Sequence, residues 1–467
     1  MHLFLVGAGH VGLVTAVGLA RLGHRLTVAD VDAARIRGLV SGVSPVFEPG
    51  LEEAIGAYVA SGELTFTTDV RPPADVRFSI VTVSTPTGPD GPLSTANVEA
   101  AMAAILDTVG EDHTIVIRST LPIDGPDRLL AAVAGRANRP AIVTNPEFMA
   151  EGSAMANFDR PDRIVAGWLE ARDREAAPAV LSLYEGLSAP TLLADARSVA
   201  LIKLASNVFL AAKVAYANEL ARICDASGAN IDTVADGIGL DARIGRAFLN
   251  AGPGFGGSCF PEQAVGLAQV SAALGLPTPL IDSVSRSNDA HQRSIVEALG
   301  GLLGGRDADP GSRLTALRGR RVALLGLAFK ANTDDVRRSP ALALARHLRE
   351  AGASVVATDP RAIAKARLAD PALETVASVG EAADAADAIL VATEWREFAE
   401  LDWTGLAARM RGDLVYDTRN VVNAREVRAA GLRMATLGRP QPTRAERLDR
   451  PDRPLDLAQS RTGPAQT

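Results

Sequence analysis

A cysteine set among glycines is the densest chemical signal in the sequence. Residues 252–261 read GPGFGGSCFP and include Cys259, one of two cysteines in the chain. Glycines let backbone amides close around a ligand. Pro261 is typical of the first position of a helix, which would put Cys259 near a helix N-terminus, where a thiolate is favoured. These residues predict a nucleophilic thiol, although a free cysteine is usually a small buried apolar side chain, the role we assign to Cys224.

A glycine fingerprint near the N-terminus predicts a dinucleotide site. Residues 7–12 read GAGHVG, follow a short apolar run and open a helical pattern, and Asp30 ends the next apolar run. Gly7 permits a tight turn, Gly9 lets the backbone approach a pyrophosphate, and Gly12 allows close helix–strand packing. The helix N-terminus would face the phosphates. A carboxylate at Asp30 would accept the ribose hydroxyls and repel a 2′-phosphate, which predicts NAD rather than NADP.

Composition narrows the class of protein further. The chain has 467 residues, a formal net charge of −7 and 47 % hydrophobic residues, which suggests two to four globular domains. The acidic balance argues against nucleic-acid and anionic-membrane partners. Two cysteines exclude a disulfide scaffold and fit a reducing compartment. Six histidines show no HxH or HExxH spacing, so we predict no metal site.

The apolar N-terminus does not have the pattern of a targeting segment. No Lys or Arg precedes the apolar run, and glycines interrupt it at fixed spacing. No stretch of roughly 18 uncharged apolar residues occurs elsewhere. We therefore expect a soluble, cytoplasmic protein.

The elements that must position these residues alternate between strands and helices, which predicts parallel sheets with crossover helices. In the first half we predict strands at Leu3–Val6, Leu26–Ala29, Phe78–Val83, Thr114–Ile117 and Ala141–Val143. In the second half we predict strands at Arg321–Leu327, Ser354–Thr358, Ala388–Thr393 and Asp413–Tyr416, with a helix at Pro340–Ala351.

A long stretch without glycine or proline, residues 197–226, predicts a central helix, with helical structure continuing to about residue 305. Residues 304–312 predict a loop. The expected fold is α/β, with two Rossmann-like doubly wound parallel-sheet domains joined by a long central helix. The expected domains are 1–195 (NAD binding), 196–310 (helical connector and dimerisation), 311–437 (second Rossmann-like domain) and 438–467 (a disordered tail rich in Pro and Arg).

Many ordered motifs resemble the UDP-glucose/GDP-mannose dehydrogenase family, particularly its UDP-glucose 6-dehydrogenase branch. The resemblance runs from residue 1 to about 436. Beside the two glycine segments, it is carried by PVFEPGLEE (45–53), VSTPTGPDG (83–91), RSTLP (118–122), NPEFMAEGSA (145–154), RPDRIVAG (160–167), LIKLASNVFLA (201–211), GLAFKANTDDVRRSPA (326–341), ATEWREF (392–398) and YDTRN (416–420).

The resemblance implies a two-step, four-electron oxidation of a hexose primary alcohol by NAD. Cys259 would hold the aldehyde as a thiohemiacetal and then a thioester, which water releases as the uronate. Lys203 and Asn207, four residues apart on one helix face, would hold the reacting oxygen. Glu147 would be the acid/base partner and Thr120 a supporting hydroxyl. The helix pattern alone favours a different reading, in which the stem of Lys203 lies on an apolar surface while its amine reaches water.

The resemblance also implies binding roles. With the fingerprint it gives a cofactor set of Gly7, Gly9, Val11, Gly12, Asp30, Arg35, Thr85, Thr120, Glu151 and Arg337. For Arg35, contact with the adenosine phosphate and a solvated position on its helix stay equally open. The implied nucleotide-sugar set is Glu147, Phe148, Met149, Ala150, Glu151, Lys203, Asn207, Arg243, Asn250, Gly254, Phe255, Gly256, Lys330 and Arg419.

One departure from the family pattern is specific to this chain. The family continues CxxKD after the glycine loop, whereas this chain has Glu262 and Gln263. Glutamine cannot act as a base, and a carboxylate close to Cys259 would raise the pKa of the thiol; alternatively, Glu262 only complements the helix dipole. Two alternatives to a UDP-glucose enzyme therefore stay open: a dehydrogenase of another nucleotide sugar (GDP-mannose or a UDP-N-acetylhexosamine), or a nucleotide-sugar-binding pseudoenzyme.

The central helix also predicts assembly. Residues 197–226 hold more Ala, Val, Leu and Ile than one face could bury within a single lobe. The family dimerises through this region, with Arg243 reaching across the interface. We therefore expect a homodimer or a higher even oligomer.

Overall fold

The computed structural model describes residues 1–86, 93–136, 138–304 and 312–439. These residues form two compact units, one of Met1–Asn207 with Val265–Thr278 and one of Val208–Ala264 with the chain from Pro279 onward. Most of the predicted 304–312 loop and of the predicted disordered tail lies outside the described residues. The unit boundary divides two helices internally, and the predicted domain limits stay predictions.

The described part of the first unit contains an eight-stranded sheet, whose strand order is β3-β2-β1-β4-β5-β6-β7-β8. The strands are β1 (His2–Val6), β2 (Arg25–Ala29), β3 (Leu64–Thr67), β4 (Phe78–Val81), β5 (Thr114–Ile117), β6 (Ala141–Thr144), β7 (Ile164–Trp168) and β8 (Thr191–Asp195). The expectation of a purely parallel sheet is wrong at one place, because β7 pairs antiparallel with β6. Apolar runs indicate strands but not their direction, and mixed sheets of this kind are common.

Helices cover both faces of this sheet: α1 (His10–Arg21), α2 (Ala33–Val40), α3 (Leu51–Ser61), α4 (Ala96–Leu106), α5 (Gly125–Ala132), α6 (Ala154–Asp159) and α7 (Ala177–Ser182). Successive side chains of a strand point to opposite faces. Accordingly, Leu3 and Leu5 belong to one hydrophobic cluster, and Phe4 and Val6 to another. Burial on both faces explains why β1 is a continuous apolar run.

The central segment is helical, as predicted. Its helices are α8 (Ala196–Ser227), α9 (Ile231–Gly239), α10 (Cys259–Ala273) and α11 (Pro279–Gly304). Among the described residues, α8 is the one helix long and apolar enough to cross a membrane. Much of it is buried within the protein, as in a core helix.

The described part of the second unit holds a six-stranded sheet of order β11-β10-β9-β12-β13-β14, with every neighbouring pair parallel. Its strands are β9 (Arg321–Leu325), β10 (Ser354–Thr358), β11 (Glu374–Thr375), β12 (Ala388–Val391), β13 (Leu414–Asp417) and β14 (Arg433–Thr436). Its helices are α12 (Pro340–Glu350), α13 (Ile363–Ala369), α14 (Val379–Ala383), α15 (Arg396–Ala399), α16 (Trp403–Arg409) and α17 (Ala424–Ala429).

Both sheets reverse their strand order beside the first strand, between β1 and β4 and between β9 and β12. In open α/β sheets this switch point, at the carboxyl ends of the strands, is where ligands bind. Two Rossmann-like sheets and a long central helix confirm the predicted fold class.

Candidate active site

The predicted dinucleotide turn connects β1 to α1. Gly7 has φ +109°, a left-handed conformation that glycine adopts freely. A Cβ on Gly12 would lie 1.8 Å from the carbonyl oxygen of Gly7, so this position has no room for a side chain. A Cβ on Gly9 would meet nothing within 4 Å, which leaves open space above the turn. The three glycines therefore fit the roles of tight turn, ligand approach and close packing.

Asp30, at the end of β2, is bound to this turn. Its carboxylate accepts hydrogen bonds from the backbone N–H of Ala8 at 2.8 Å and of Asp32 at 2.9 Å. Arg35 donates to the same carboxylate at 2.8 Å and is half-buried. Arg35 is thus the ion-pair partner of Asp30 rather than a freely solvated residue. With the open space above Gly9, this turn fits an NAD molecule, which the helix N-terminus and Asp30 would hold.

The remaining predicted cofactor residues of this unit follow strand ends. Val11 lies in the first turn of α1, Thr85 follows β4, Thr120 follows β5, and Glu151 lies after β6. All four are half-buried. Because β1, β4, β5 and β6 are parallel, these residues follow the same edge of the sheet. Arg337 belongs to the second unit, where its guanidinium is exposed and pairs with Asp335.

A buried ion pair lies at the same edge of the first unit. The Nζ of Lys203 donates to the carboxylate of Glu147 at 2.9 Å and to its backbone carbonyl at 2.6 Å. Lys203 is 2 % exposed and Glu147 is 7 % exposed. The reading of Lys203 as a lysine whose amine reaches water is therefore wrong. The aromatic ring of Phe148 lies 5.3 Å from the amine and 3.8 Å from the guanidinium of Arg163.

Glu147 is held as a carboxylate. Burial opposes its charge, but the charge and hydrogen bond of Lys203, the charge of Arg118 and the N–H of Met149 bring its pKa below the usual value. Asn207, one helical turn beyond Lys203, is also buried. A buried ammonium, a carboxylate and an amide together can hold an oxygen, stabilise negative charge on it and accept its proton.

Sequence reasoning missed the hydrogen-bond network of Arg118, which supports the segment that carries Glu147. The buried guanidinium of Arg118 donates to Thr15 at 2.9 Å, to the side chain of Asn145 at 2.9 Å and to Tyr184 at 3.0 Å. Tyr184 in turn donates to Asn145 at 2.6 Å. The motif RSTLP marked Arg118, but its partners are far away in the sequence. This network fixes the segment that carries Glu147.

A second missed pair links the dinucleotide turn to the Glu147 segment. The Nε2 of His10 lies 2.8 Å from the carboxylate of Glu48. The same carboxylate accepts the backbone N–H of Gly152 at 2.7 Å and of Ala154 at 2.8 Å. Its side chain is 1 % exposed.

Cys259 is the first residue of α10, in the second unit. The prediction that Pro261 begins this helix is wrong by two residues. Proline is tolerated at this point because the first N–H groups of a helix have no acceptor within it. Cys259 nevertheless lies at the N-terminus, as expected, and is half-buried. Its thiol therefore lies where partial positive charge favours a thiolate.

Side chains of α8 and α11 hold the glycine loop before Cys259. Asn218 accepts the N–H of Gly252 at 2.9 Å, and His291 Nε2–H donates to the carbonyl of Gly252 at 2.8 Å. Asn288 accepts from the N–H of Phe255 at 2.9 Å and donates to its carbonyl at 3.2 Å. Burial lowers the pKa of His291 to about 4, so the ring is neutral at neutral pH. Side chains of the protein itself thus hold the loop in place.

The residues that depart from the family pattern lie in the first turns of α10. Glu262 is half-buried, and burial raises its pKa although the charges of Arg338 and Arg337 oppose this. It lies three residues after Cys259 on one helix, so the two side chains share a face. Gln263 is 3 % exposed, and its buried Oε1 has no hydrogen-bond partner among the residues that the structure describes. The structure thus places Glu262 on the thiol's side of the helix.

The other predicted substrate residues of this unit are placed as follows. Gly254, Phe255 and Gly256 are buried in the loop, and Asn250 is exposed before it. Lys330 lies half-buried between β9 and α12. Arg419 donates to the carbonyls of Ala392 and Phe329 at 3.0 Å, and Arg243 is almost fully exposed and pairs with Asp241. In the first unit, Met149 is half-buried and Ala150 exposed.

Among the residues that the structure describes, no group of three or more His, Cys, Asp or Glu side chains could hold a metal ion.

Three segments match models of one family across most of the chain. Residues 1–188 match the NAD binding domain of the UDP-glucose/GDP-mannose dehydrogenase family, residues 197–290 its central domain, and residues 323–424 its UDP binding domain. The chain belongs to the UDP-glucose/GDP-mannose dehydrogenase family. This confirms the resemblance, and the chain carries the NAD-binding domain that the fingerprint predicted.

Individual members of the family match over nearly their whole length. A UDP-glucose 6-dehydrogenase of Rhizobium meliloti is 38 % identical over 94 % of this chain and 100 % of its own length. One from Bacillus subtilis is 35 % identical over 97 % of this chain and 96 % of its own. The solved UDP-glucose dehydrogenase of Pyrobaculum islandicum has a TM-score of 0.80 at 38 % identity, covering 91 % of this chain and 95 % of that one.

Proposed function

We propose that this chain oxidises UDP-glucose to UDP-glucuronate with NAD, in two steps through a covalent adduct on Cys259. The observation that carries the proposal is the buried Lys203–Glu147 pair at the ligand-binding edge of an NAD-binding sheet. The names of the relatives, 35–38 % identical over nearly the whole chain, support UDP-glucose as the substrate.

In the first step the hexose alcohol loses its hydroxyl proton and a hydride. NAD, when bound, accepts the hydride. Glu147 is ionised and thus able to take the proton, while the ammonium of Lys203 stabilises negative charge on the oxygen. Asn207 and Thr120 are proposed to orient that oxygen. The product is an aldehyde bound at the same oxygen contacts.

In the second step the Cys259 sulfur forms a bond to the aldehyde carbon, giving a thiohemiacetal. Loss of a second hydride, for which a second NAD would be the acceptor, and of the hydroxyl proton leaves a thioester. Water then breaks the carbon–sulfur bond, which gives the carboxylate and returns the thiol. The position of Cys259 at the N-terminus of α10 supports this role, because the helix dipole stabilises the thiolate.

The proposed sugar-nucleotide contacts are Phe148, Met149, Ala150, Glu151, Asn250, Gly254, Phe255, Gly256, Lys330, Arg243 and Arg419. Fixed loop amides and cationic side chains suit a diphosphate and a sugar. The hydrogen bonds by which α8 and α11 hold the glycine loop support its role as a binding surface.

Counting the NADH formed per UDP-glucose tests the proposal. Two NADH per sugar are expected, with UDP-glucuronate as product. One NADH would mean that the reaction stops at the aldehyde. None with UDP-glucose, but turnover of GDP-mannose or a UDP-N-acetylhexosamine, would assign another substrate, and binding without any turnover would make the chain a pseudoenzyme.

Cysteine variants test the covalent step. Cys259→Ala is expected to abolish uronate formation, whereas Cys224→Ala, in α8, serves as the matched control and keeps it. Cys259→Ser is expected to accumulate an ester adduct visible by intact-protein mass spectrometry, because an ester hydrolyses more slowly than a thioester. Undiminished uronate formation in Cys259→Ala would overturn the mechanism.

We also propose that the protein is a cytoplasmic homodimer or a higher even oligomer. Exposed apolar side chains recur along α8 at one-face spacing: Phe209 is 67 %, Tyr216 54 % and Ile223 60 % exposed. Sedimentation velocity at micromolar concentration tests this. Tyr216→Asp is expected to yield monomers, and Leu368→Asp, at a more exposed leucine on α13, is not.

A further inference from the structure

The histidine of the dinucleotide turn is not assigned by the glycine fingerprint, which leaves its position variable. His10 is the first residue of α1, where the helix N-terminus faces the expected pyrophosphate. Its ring bonds to Glu48, a carboxylate that is buried yet carries no lysine or arginine partner among the described residues. A buried carboxylate needs a compensating charge or several donors.

Glu48 has a structural task of its own. Its two oxygens accept the N–H groups of Gly152 and Ala154, which follow the Glu147 segment in the chain. Through Glu48, His10 is therefore connected to the segment that carries Glu147. The sequence separations are large, so only the tertiary fold makes this connection.

We propose that His10 is a positioning residue of the NAD site that acts as an imidazolium, neutralising Glu48 beside the phosphate-binding turn while Glu48 anchors residues 152–154. The proposal rests on the proposed function, since it concerns the cofactor of that reaction. When His10 loses its proton, the charge of Glu48 is no longer compensated. A carboxylate near the turn then repels the anionic pyrophosphate.

The surrounding charges favour the protonated ring. Burial alone would lower the pKa of His10, but its hydrogen bond to Glu48 and the negative charges of Glu151, Glu48 and Glu147 raise the pKa above the usual value. Of these carboxylates, Glu147 has its own cation, Lys203. On the other side of the turn, Asp30 and Arg35 pair with each other. The proton on His10 is therefore stabilised first by the hydrogen bond to Glu48 and then by the negative charges of Glu151 and Glu48.

The test measures the dissociation constant of NAD directly, by calorimetry, from about pH 6 to about pH 9, a range in which a histidine with a raised pKa loses its proton. For the unmodified protein, binding is expected to weaken about fivefold as pH rises through the His10 pKa, a size typical of one charge at a helix terminus. His10→Gln keeps a donor for Glu48 without the charge. Its affinity is expected to be low and independent of pH.

His24→Gln is the matched control, because His24 lies just beyond the other end of α1 and burial lowers its pKa. This variant is expected to retain the pH dependence. If His10→Gln and the unmodified protein bind NAD with the same affinity and the same pH profile, the inference is overturned. If NAD binds at no pH, the proposed function fails with it, whereas binding that is tight and independent of pH overturns only this inference.

A second measurement does not depend on the variant's stability. The chain has six histidines, so the ring proton resonances of the selectively labelled protein can be followed by NMR. The resonance that is missing from the spectrum of His10→Gln belongs to His10 and is expected to titrate above the usual histidine pKa. In Glu48→Gln the same resonance is expected to titrate at a lower pH. Titration at or below the usual value would contradict the inference.

Discussion

The two Rossmann-like sheets have the same strand order around their first strands but differ in the connection that follows. In the first unit, β1 ends at Val6 and α1 begins at His10, so a three-residue turn aims a helix N-terminus at the ligand edge. In the second, β9 ends at Leu325 and α12 begins only at Pro340. That longer connection carries Lys330 and Arg337. The first sheet thus presents the backbone N–H groups of a helix N-terminus at its ligand-binding edge, whereas the longer connection of the second sheet presents cationic side chains.

The acidic residue after the second strand of each sheet shows the same contrast. Asp30 accepts from two backbone N–H groups and from Arg35, a side chain that is partly exposed. Asp359, its counterpart after β10, has a carboxylate whose oxygens accept hydrogen bonds from groups of the protein itself. Its oxygens accept the indole N–H of Trp395 and the backbone N–H groups of Leu327, Ala328, Arg361 and Ala362. We infer that Asp30 serves a ligand and Asp359 serves stability.

The largest expected effect comes from removing these two carboxylates. Asp359→Ala leaves several buried donors without an acceptor, so we expect a loss of about 3–5 kcal/mol in the free energy of unfolding. Asp30→Ala is expected to cost far less stability but to weaken NAD binding and reduce the preference over NADP. Thermal unfolding and calorimetric titration with both cofactors check this. If the two substitutions destabilise the protein equally, Asp30 and Asp359 do not differ in the way inferred. The same conclusion would follow if the unmodified protein turned over equally well with NAD and with NADP.

The next effect concerns glycines of the two connections. Gly326 has φ +97°, and a Cβ there would lie 2.4 Å from the side chain of Thr393. Gly326→Ala is expected to destabilise the protein by about 2–4 kcal/mol through strain and overpacking. Gly9→Ala adds a Cβ where nothing lies within 4 Å, so the melting temperature should hold while NAD binding weakens. A Gly9→Ala protein that binds NAD normally would show that no ligand approaches the backbone there.

The smallest expected effect tests one of the hydrogen bonds that Asp359 accepts within the fold. Trp395→Phe removes the indole donor to this carboxylate, at 3.1 Å, and is expected to cost about 1–2 kcal/mol. Trp403→Phe is the matched control, because its buried indole N–H has no hydrogen-bond partner among the described residues. That substitution is expected to be near neutral. Chemical denaturation of both variants measures the two stability losses. A larger loss for Trp403→Phe than for Trp395→Phe would contradict the prediction.

The sequence by itself determined what depends on local spacing. The period of the apolar residues predicted nine of the fourteen described strands and the length of α8 to within a few residues, because the residues that bury one face of a strand or helix are close together in the sequence. It missed β3, β7, β8, β11 and β14. The fingerprint predicted the turn at Gly7 and Gly12, because a turn of that geometry has no room for side chains. The family motifs marked Cys259, Lys203 and Glu147, whose roles stay predictions.

Only the tertiary structure decided which distant residues meet. Lys203 was compatible with a solvated amine until the fold buried it against Glu147, which is 56 positions away in the sequence. The contact of His10 with Glu48 and the direction of β7 likewise arise from packing between separate segments. Residue types and spacing cannot specify such contacts, since a buried charge is stable only beside its partner, and the fold alone supplies that partner.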